Sequence, residues 1–406
     1  MASAAPAQTV PIDAKVQARI DRILKRTPLI DGHNDLPGEL REKYEFSVSG
    51  LESGAAKLEK PLMTDMAGLR AGHVGGQFWS VYISGTITGD AAIRTTIEQI
   101  DIARRLIAAY PDDLELASTA DDMVRIHRAG RVASMLGVEG GRQIGGSMAA
   151  LRQFYNLGVR YMTLTHNQTT EWADSATDEP KHGGISPFGE LVIGEMNRLG
   201  MLVDLSHVSP DAMKDAIKKS QAPVIFSHSN AFALNPHPRN VPDDVLRLLP
   251  ANGGVVMVNF FPVFLSPQAR EWAISRSAEE TRLKAFAPFS IAAVEAGLKQ
   301  WEAANPRPPV AVGAVADHIE HIAKVAGHDN VGIGADLDGI PYSAVGMESV
   351  AGYPVLFAEL IRRGWSDANL AKLAGGNVLR ALRRAEAEAV RMTYVPPALS
   401  VLPPTP

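Results

Sequence analysis

Cysteine is absent from the 406 residues. That excludes disulfides, thiolate metal ligands and a cysteine nucleophile, so a bound metal would have to be held by His, Asp and Glu. Long apolar runs are missing too. None reaches the ~18 residues of a membrane-spanning helix, and Pro396–Pro406 lacks the hydrophobic tail of a lipid-anchor signal, so the expectation is a soluble chain with no integral membrane segment. Positive charge is not in excess: 40 Lys and Arg face 45 Asp and Glu, for a net charge of -5, which argues against nucleic acid as a partner. With 46% apolar and 21% charged residues, the composition is that of a globular protein with ample core. Ala2–Gln8 is small and polar, without a charged and hydrophobic leader, and fits a processed end behind an added Met1. Periplasmic or secreted residence after signal removal is one reading and cytoplasmic residence the other.

What is present is an alternation. Short β-rich runs at Pro28–Asp31, Gln77–Ile83, Val132–Val138, Val159–Thr165, Met201–Leu205, Pro223–Ser227, Gly254–Phe260 and Asn330–Ala335 are separated by segments of helical periodicity. The clearest helices are Thr96–Ala109, Phe188–Leu199, Pro210–Lys219 and Ala314–Ala326. Ser209 and Pro210 supply an N-cap and a first-turn proline to the third of these. Runs such as Val255–Val258 are continuously apolar, as strands buried on both faces require. Polar clusters follow many different strands rather than one Gly-rich turn, so the reading is an α/β chain folded as a (β/α)8 TIM-type barrel, not a doubly wound sheet. Residues 1–20 read as an N-terminal extension, 21–392 as a single catalytic domain and 393–406 as a Pro-rich tail. Gly50–Leu62 is expected to be a loop. Phe261–Pro309, with helix-like Ser277–Trp301, is a long insertion before the last strand, of a size that suits a lid.

In a barrel the chemistry sits where strands end. The first strand runs into DGHND, with His33 and Asp35 two apart and able to share a face. The third ends in GVEGG at Glu139, the fourth in LTHN at His166, the fifth in DLSH at His207, the sixth in FSH at His228, and the last in GADLDG with Asp336 and Asp338. One histidine at a strand end is commonly a hydrogen-bonded structural residue. Four of them converging with Asp35, Glu139 and Asp336 on one rim offer neutral imidazoles and anionic oxygens suited to zinc or a similar transition metal.

These segments resemble the membrane dipeptidase (renal dipeptidase) family of zinc peptidases, a branch of the amidohydrolase-like barrels. The likeness runs from LIDGHNDLP at Leu29–Pro37 through GVEGG, LTHN, WADS, DLSHVS, APVIFSHSN, RNVPDD and GIGADLDG to GGNVLR at Gly375–Arg380. The resemblance implies two zinc ions per chain, one on His33 and Asp35, the other on His207 and His228, with Glu139 bridging. It implies hydrolysis of dipeptides by a metal-bridging hydroxide, with Asp336 transferring protons, His166 meeting the scissile carbonyl or its tetrahedral intermediate, and Arg239 gripping the substrate carboxylate. A homodimer is one assembly open to such a chain. Unlike the mammalian members, it has neither cysteines nor an anchor signal, and Phe261–Pro309 is longer than the matching connection.

Plainer readings stand beside these. The plainer reading of Arg239 is a surface pair with Asp243 or Asp244; Asp338, next to Gly339, reads as a turn or cap residue. His318 and His321 lie three apart on a helix expected outside the barrel and read as structural, while His73, His127, His182, His237 and His328 receive no role. The rival functions are a related binuclear-metal hydrolase of another amide, lactam or ester, and a non-catalytic accessory protein in maturation of a secreted peptide.

Overall fold

The computed structural model describes residues 12–402, so Ala2–Gln8 and the last residues of the Pro-rich tail lie outside it. Nine parallel strands form one sheet: β1 (Leu29–Asn34), β2 (Val74–Tyr82), β3 (Leu114–Leu116), β4 (Val132–Glu139), β5 (Val159–Thr163), β6 (Leu202–Asp204), β7 (Ile225–Phe226), β8 (Val255–Val258) and β9 (Val331–Ile333). Their order is β2-β1-β9-β8-β7-β6-β5-β4-β3, and a further pairing of β2 with β4 closes the sheet into an eight-stranded barrel. The eight strands expected from sequence are these, without β3.

The extra strand has a geometric origin. Strands of a barrel are staggered, and β5 reaches β4 only from Leu136 onward. The lower part of β4, Val132–Ser134, is left open on that side, and Leu114–Leu116 fills it. Three residues beginning at a single buried leucine give no alternation to read in sequence.

The four clearest helices appear as Gly89–Ala109, Pro187–Leu199, Pro210–Lys219 and Val312–Ala326. Ser209 caps the third, its side chain accepting from the Ala212 N–H. The helix Ala14–Arg26 runs through the boundary drawn at residue 20 and buries Ile20, Ile23 and Leu24. Its Arg19 pairs with Asp367 at 2.6 Å. The expected loop at Gly50–Leu62 is irregular except for a short turn at Ala55–Lys57.

The segment Ser277–Trp301 is not one helix. Pro267–Phe286 and Ile291–Ala304 form a helical hairpin, because Pro288 cannot continue the first helix and Ser290 caps the second through the Ala293 N–H. The tip of the hairpin exposes Phe286, Phe289 and Ile291. Few of its side chains are buried: Ala269 in the first helix, Val294 and Leu298 in the second.

Candidate metal centre and substrate cavity

The C-terminal ends of the strands surround a cavity of about 420 Å³ whose lining includes Asp35, Glu139, His166, His207, His228, Arg239 and Asp336. His33 lies beneath, fully buried. Every residue singled out for chemistry in the sequence is therefore brought to one end of the barrel. Among the described residues, three overlapping clusters could each hold an ion: His33, Glu139 and His228; Glu139, His166 and His207; His33, Asp35 and Asp336.

Glu139, the last residue of β4, is the centre of this arrangement. One oxygen, Oε1, lies 3.1 Å from His207 Nε2 and 3.4 Å from His228 Nε2. Its other oxygen lies 3.5 Å from His33 Nε2. Asp35 Oδ2 approaches the same His33 nitrogen at 3.2 Å. His166 stands slightly apart, its Nε2 3.7 Å from Glu139 Oε1 and its ring 4.8 Å from that of Tyr82.

The proton positions follow from partners on the far side of each ring. His33 Nδ1 lies 2.8 Å from the Tyr161 hydroxyl, which itself donates to the Gly32 carbonyl, so Nδ1 carries the proton. His228 Nδ1 faces Ser227 Oγ at 2.8 Å, and that hydroxyl donates to Asp204. His207 Nδ1 faces the Asn167 side-chain oxygen at 3.2 Å. In their neutral forms all three imidazoles thus present an Nε2 lone pair to the cavity. His207 Nε2 and His228 Nε2 are only 2.9 Å apart, and the buried His33 Nε2 has no hydrogen-bond partner among the described residues. Lone pairs crowded in this way, beside carboxylates, are the donor set that a divalent transition metal satisfies.

Electrostatics point the same way. Burial pushes His207 and His228 well below the usual histidine range, with Arg239 adding to it. Burial also opposes charge on His33, but Tyr161, Asp35 and Glu139 outweigh it and hold His33 well above that range. Burial works to raise Glu139, yet His33, then His166, hold it well below the carboxylate range. A field that retains a proton on His33 is one that favours a cation in its place.

Asp336 and Asp338 follow β9 on backbone in the left-handed region, at φ 64 and 66, as His207 does at φ 68. Such backbone is strained for a side chain with a Cβ and concentrates at functional sites. Asp336 Oδ2 accepts from Asn259 Nδ2 at 2.7 Å. Burial first, then Asp35 and Glu139, push Asp336 well above the carboxylate range. Asp338 has a turn conformation and accepts from the Met63 N–H at 2.6 Å, while also lining the cavity. The following Gly339 is required, since a Cβ there would overlap Asp35 Oδ2 and stand 2.7 Å from Asp336 Oδ1.

Arg239 is 3% exposed and does not pair with Asp243 or Asp244, which engage His321 and Lys214 instead. One nitrogen donates to the His228 carbonyl at 3.3 Å, whereas Nε and Nη1 have no partner among the described residues. Burial pushes the guanidinium down to about 10. His318 accepts from the Ala231 N–H and meets the Leu265 carbonyl, outside the cavity.

Tyr82, Asn167, His237, Glu42, Phe261 and Phe264 in the lining, and Tyr161, Ser227 and Asn259 behind it, join the site without being expected there from the sequence. Tyr82 ends β2, so the strand-end logic applied to the other strands would have found it. Asn167 directly follows His166. Tyr161 lies within β5 and is marked by no motif.

Comparison with known proteins agrees with this picture. The chain is similar to the probable dipeptidase PvdM of Pseudomonas aeruginosa, at 24% identity and TM-score 0.78 over 92% of this chain and 99% of that one. It is also similar to dipeptidase AC, a metallopeptidase, at 23% and 0.73 over 89% and 99%. A metallopeptidase of Rhodobacter sphaeroides, liganded with a phosphinate mimic of the dipeptide L-Ala-D-Ala, matches at 22% and 0.73 over 89% and 99%. These likenesses establish the barrel as that of metallo-dipeptidases. Since the family model of membrane dipeptidases matches residues 17–394, the chain belongs to the membrane dipeptidase family, peptidase family M19, and is a metallopeptidase.

Proposed function

We propose that the protein is a zinc-dependent dipeptidase with two ions per chain, one held by His33 and Asp35, the other by His207 and His228, and Glu139 shared between them. The observation that carries the reading is the set of three buried Nε2 lone pairs converging on Glu139 in the cavity that also holds an unpaired Arg239. Bound zinc supplies a water made acidic enough to act as nucleophile near neutral pH, and a Lewis acid for the carbonyl.

The chain's own groups do the rest. Arg239 offers the free N–H groups of Nε and Nη1 to the carboxylate of a short peptide. His166 is held neutral because burial lowers it, so it offers a single N–H to the carbonyl oxygen on which charge develops. Asp336 has one oxygen fixed by Asn259, while burial raises its affinity for a proton. It takes the proton from the attacking water and returns it to the departing amine. The R. sphaeroides relative, solved with a dipeptide mimic, supports the same substrate class here.

The test is hydrolysis of a dipeptide library by chelator-stripped and zinc-reconstituted protein. Activity should need zinc and favour dipeptides over tripeptides. In Asp336→Asn, kcat should fall at least ~100-fold with metal content retained, because the amide cannot exchange the proton. Near-normal turnover by that variant would remove Asp336 from the mechanism.

A further inference from the structure

Two walls of the cavity differ in character, and the difference bears on which dipeptides enter; the argument rests on the dipeptidase reading above. Beside Arg239 the wall is aromatic. The Phe264 ring centre lies 5.5 Å from the guanidinium carbon, and Phe261 meets Phe264 edge-on at 5.1 Å. Ile340 and Pro341 add to the apolar lining. With the substrate carboxylate on Arg239, the C-terminal Cα is one bond away from that carboxylate. Its side chain then falls within reach of Phe264 and Phe261, where burial of apolar surface is favourable.

A second wall is the helix Leu36–Lys43, which begins directly after Asp35. Asp35, Gly38, Glu39 and Glu42 line the cavity, the spacing of one helix face. Both cations of this helix are engaged elsewhere. Lys43 pairs with Glu39, and Arg41 reaches Gln99, the Thr95 carbonyl and Glu98. Glu42 has no ion-pair partner among the described residues and is exposed. It lines the cavity together with Tyr82, whose phenol is pushed up to about 12 by burial, then by Glu139 and Glu42. Of the deeper carboxylates, Asp35, Glu139 and Asp336 belong to the candidate metal clusters and Asp338 accepts from the Met63 N–H. Glu42 is left as an uncompensated negative charge in the cavity lining, available to the substrate residue that Arg239 does not hold.

We propose that this cavity selects dipeptides with a basic N-terminal residue and an apolar C-terminal residue, Glu42 reading the first and Phe264 the second. Because Glu42 is exposed and screened, its effect is modest, about 3- to 10-fold.

Binding is measured by calorimetry on zinc-loaded Asp336→Asn protein, which separates recognition from turnover. Lysyl-phenylalanine should bind about 3- to 10-fold tighter than norleucyl-phenylalanine, which has a similar side chain without the charge. Adding Glu42→Gln should abolish that ratio, and Glu42→Lys should invert it. Lysyl-serine should bind more weakly than lysyl-phenylalanine, with the gap narrowed at least ~3-fold by Phe264→Ala. Equal binding of the lysyl and norleucyl peptides, or an order unchanged by Glu42→Lys, overturns the role of Glu42. An unchanged gap in Phe264→Ala overturns that of Phe264. Failure of wild type to hydrolyse any dipeptide would count against the dipeptidase reading, while the binding ratios still judge selectivity.

Discussion

Replacing Arg239 with Met should separate substrate binding from folding in one experiment. The guanidinium is 3% exposed and two of its nitrogens have no partner among the described residues, so in the free protein it is a buried charge that Asp336, Glu139 and Asp204 compensate only in part. Burial brings it down to about 10, which leaves it protonated at neutral pH, at a cost to the folded state. A charge-assisted pair with the substrate carboxylate is worth about 2–3 kcal/mol. At 1.36 kcal/mol per factor of ten, kcat/KM for dipeptides should fall roughly 30- to 150-fold. The pair exists before and during hydrolysis, so the loss should appear mainly in KM. Dipeptide amides, lacking the carboxylate, should be poor substrates of wild type and little affected by the change. Methionine fills similar space without charge, so the metal-free variant should melt no lower than wild type. The assay is steady-state kinetics on acid and amide pairs, with thermal melts of the metal-free proteins. Equal impairment of both substrates, together with a lowered melting point, would make Arg239 a structural residue and refute the reasoning.

Glu139→Ala should reduce the metal content of zinc-reconstituted protein from about two ions per chain, measured by elemental analysis; unchanged content would exclude bridging. Tyr161→Phe removes the acceptor that fixes the proton on His33 Nδ1, so zinc affinity in competition with a chelator should drop about 10- to 100-fold while the fold persists. Asp338 gives a pH test. Burial drives its carboxyl up to about 7 from 3.8, so the folded state keeps a proton that the unfolded chain releases, and stability is lost as pH rises from about 4 to about 7. Asp338→Asn should therefore stabilise the metal-free protein at pH 8 by on the order of 2–4 kcal/mol, and hardly at all near pH 4. Equal differences in melting at the two pH values would show that the carboxyl is not held protonated.

The eight barrel strands were legible because parallel strands buried on both faces leave continuous apolar runs, as at Val255–Val258. The polar residues that end those runs were legible for the same reason, since a charge directly after a buried run needs a purpose. Strand β3 was not, because its pairing depends on the stagger between β4 and β5, a property of the closed barrel. Neither was the function of Tyr161, which sits on a strand but acts on His33 128 residues away. The break at Pro288 was legible in principle; the single helix-like reading of Ser277–Trp301 overlooked what a proline followed by a capping serine does.

The helical hairpin has a spectroscopic consequence. Of the five tryptophans, Trp272 and Trp301 belong to it, with ring centres 6.0 Å apart and Trp272 Nε1 donating to the Asn305 carbonyl. Trp79 and Trp172 are fully buried in the barrel, and Trp365 lies against His328. A hairpin with so few buried side chains opens at lower denaturant than the barrel beneath it. The early part of the emission change on unfolding then comes from the hairpin pair and the late part from Trp79 and Trp172. A protein carrying Trp272→Phe and Trp301→Phe would report the barrel alone, so the difference between the two emission curves is the melting of the hairpin.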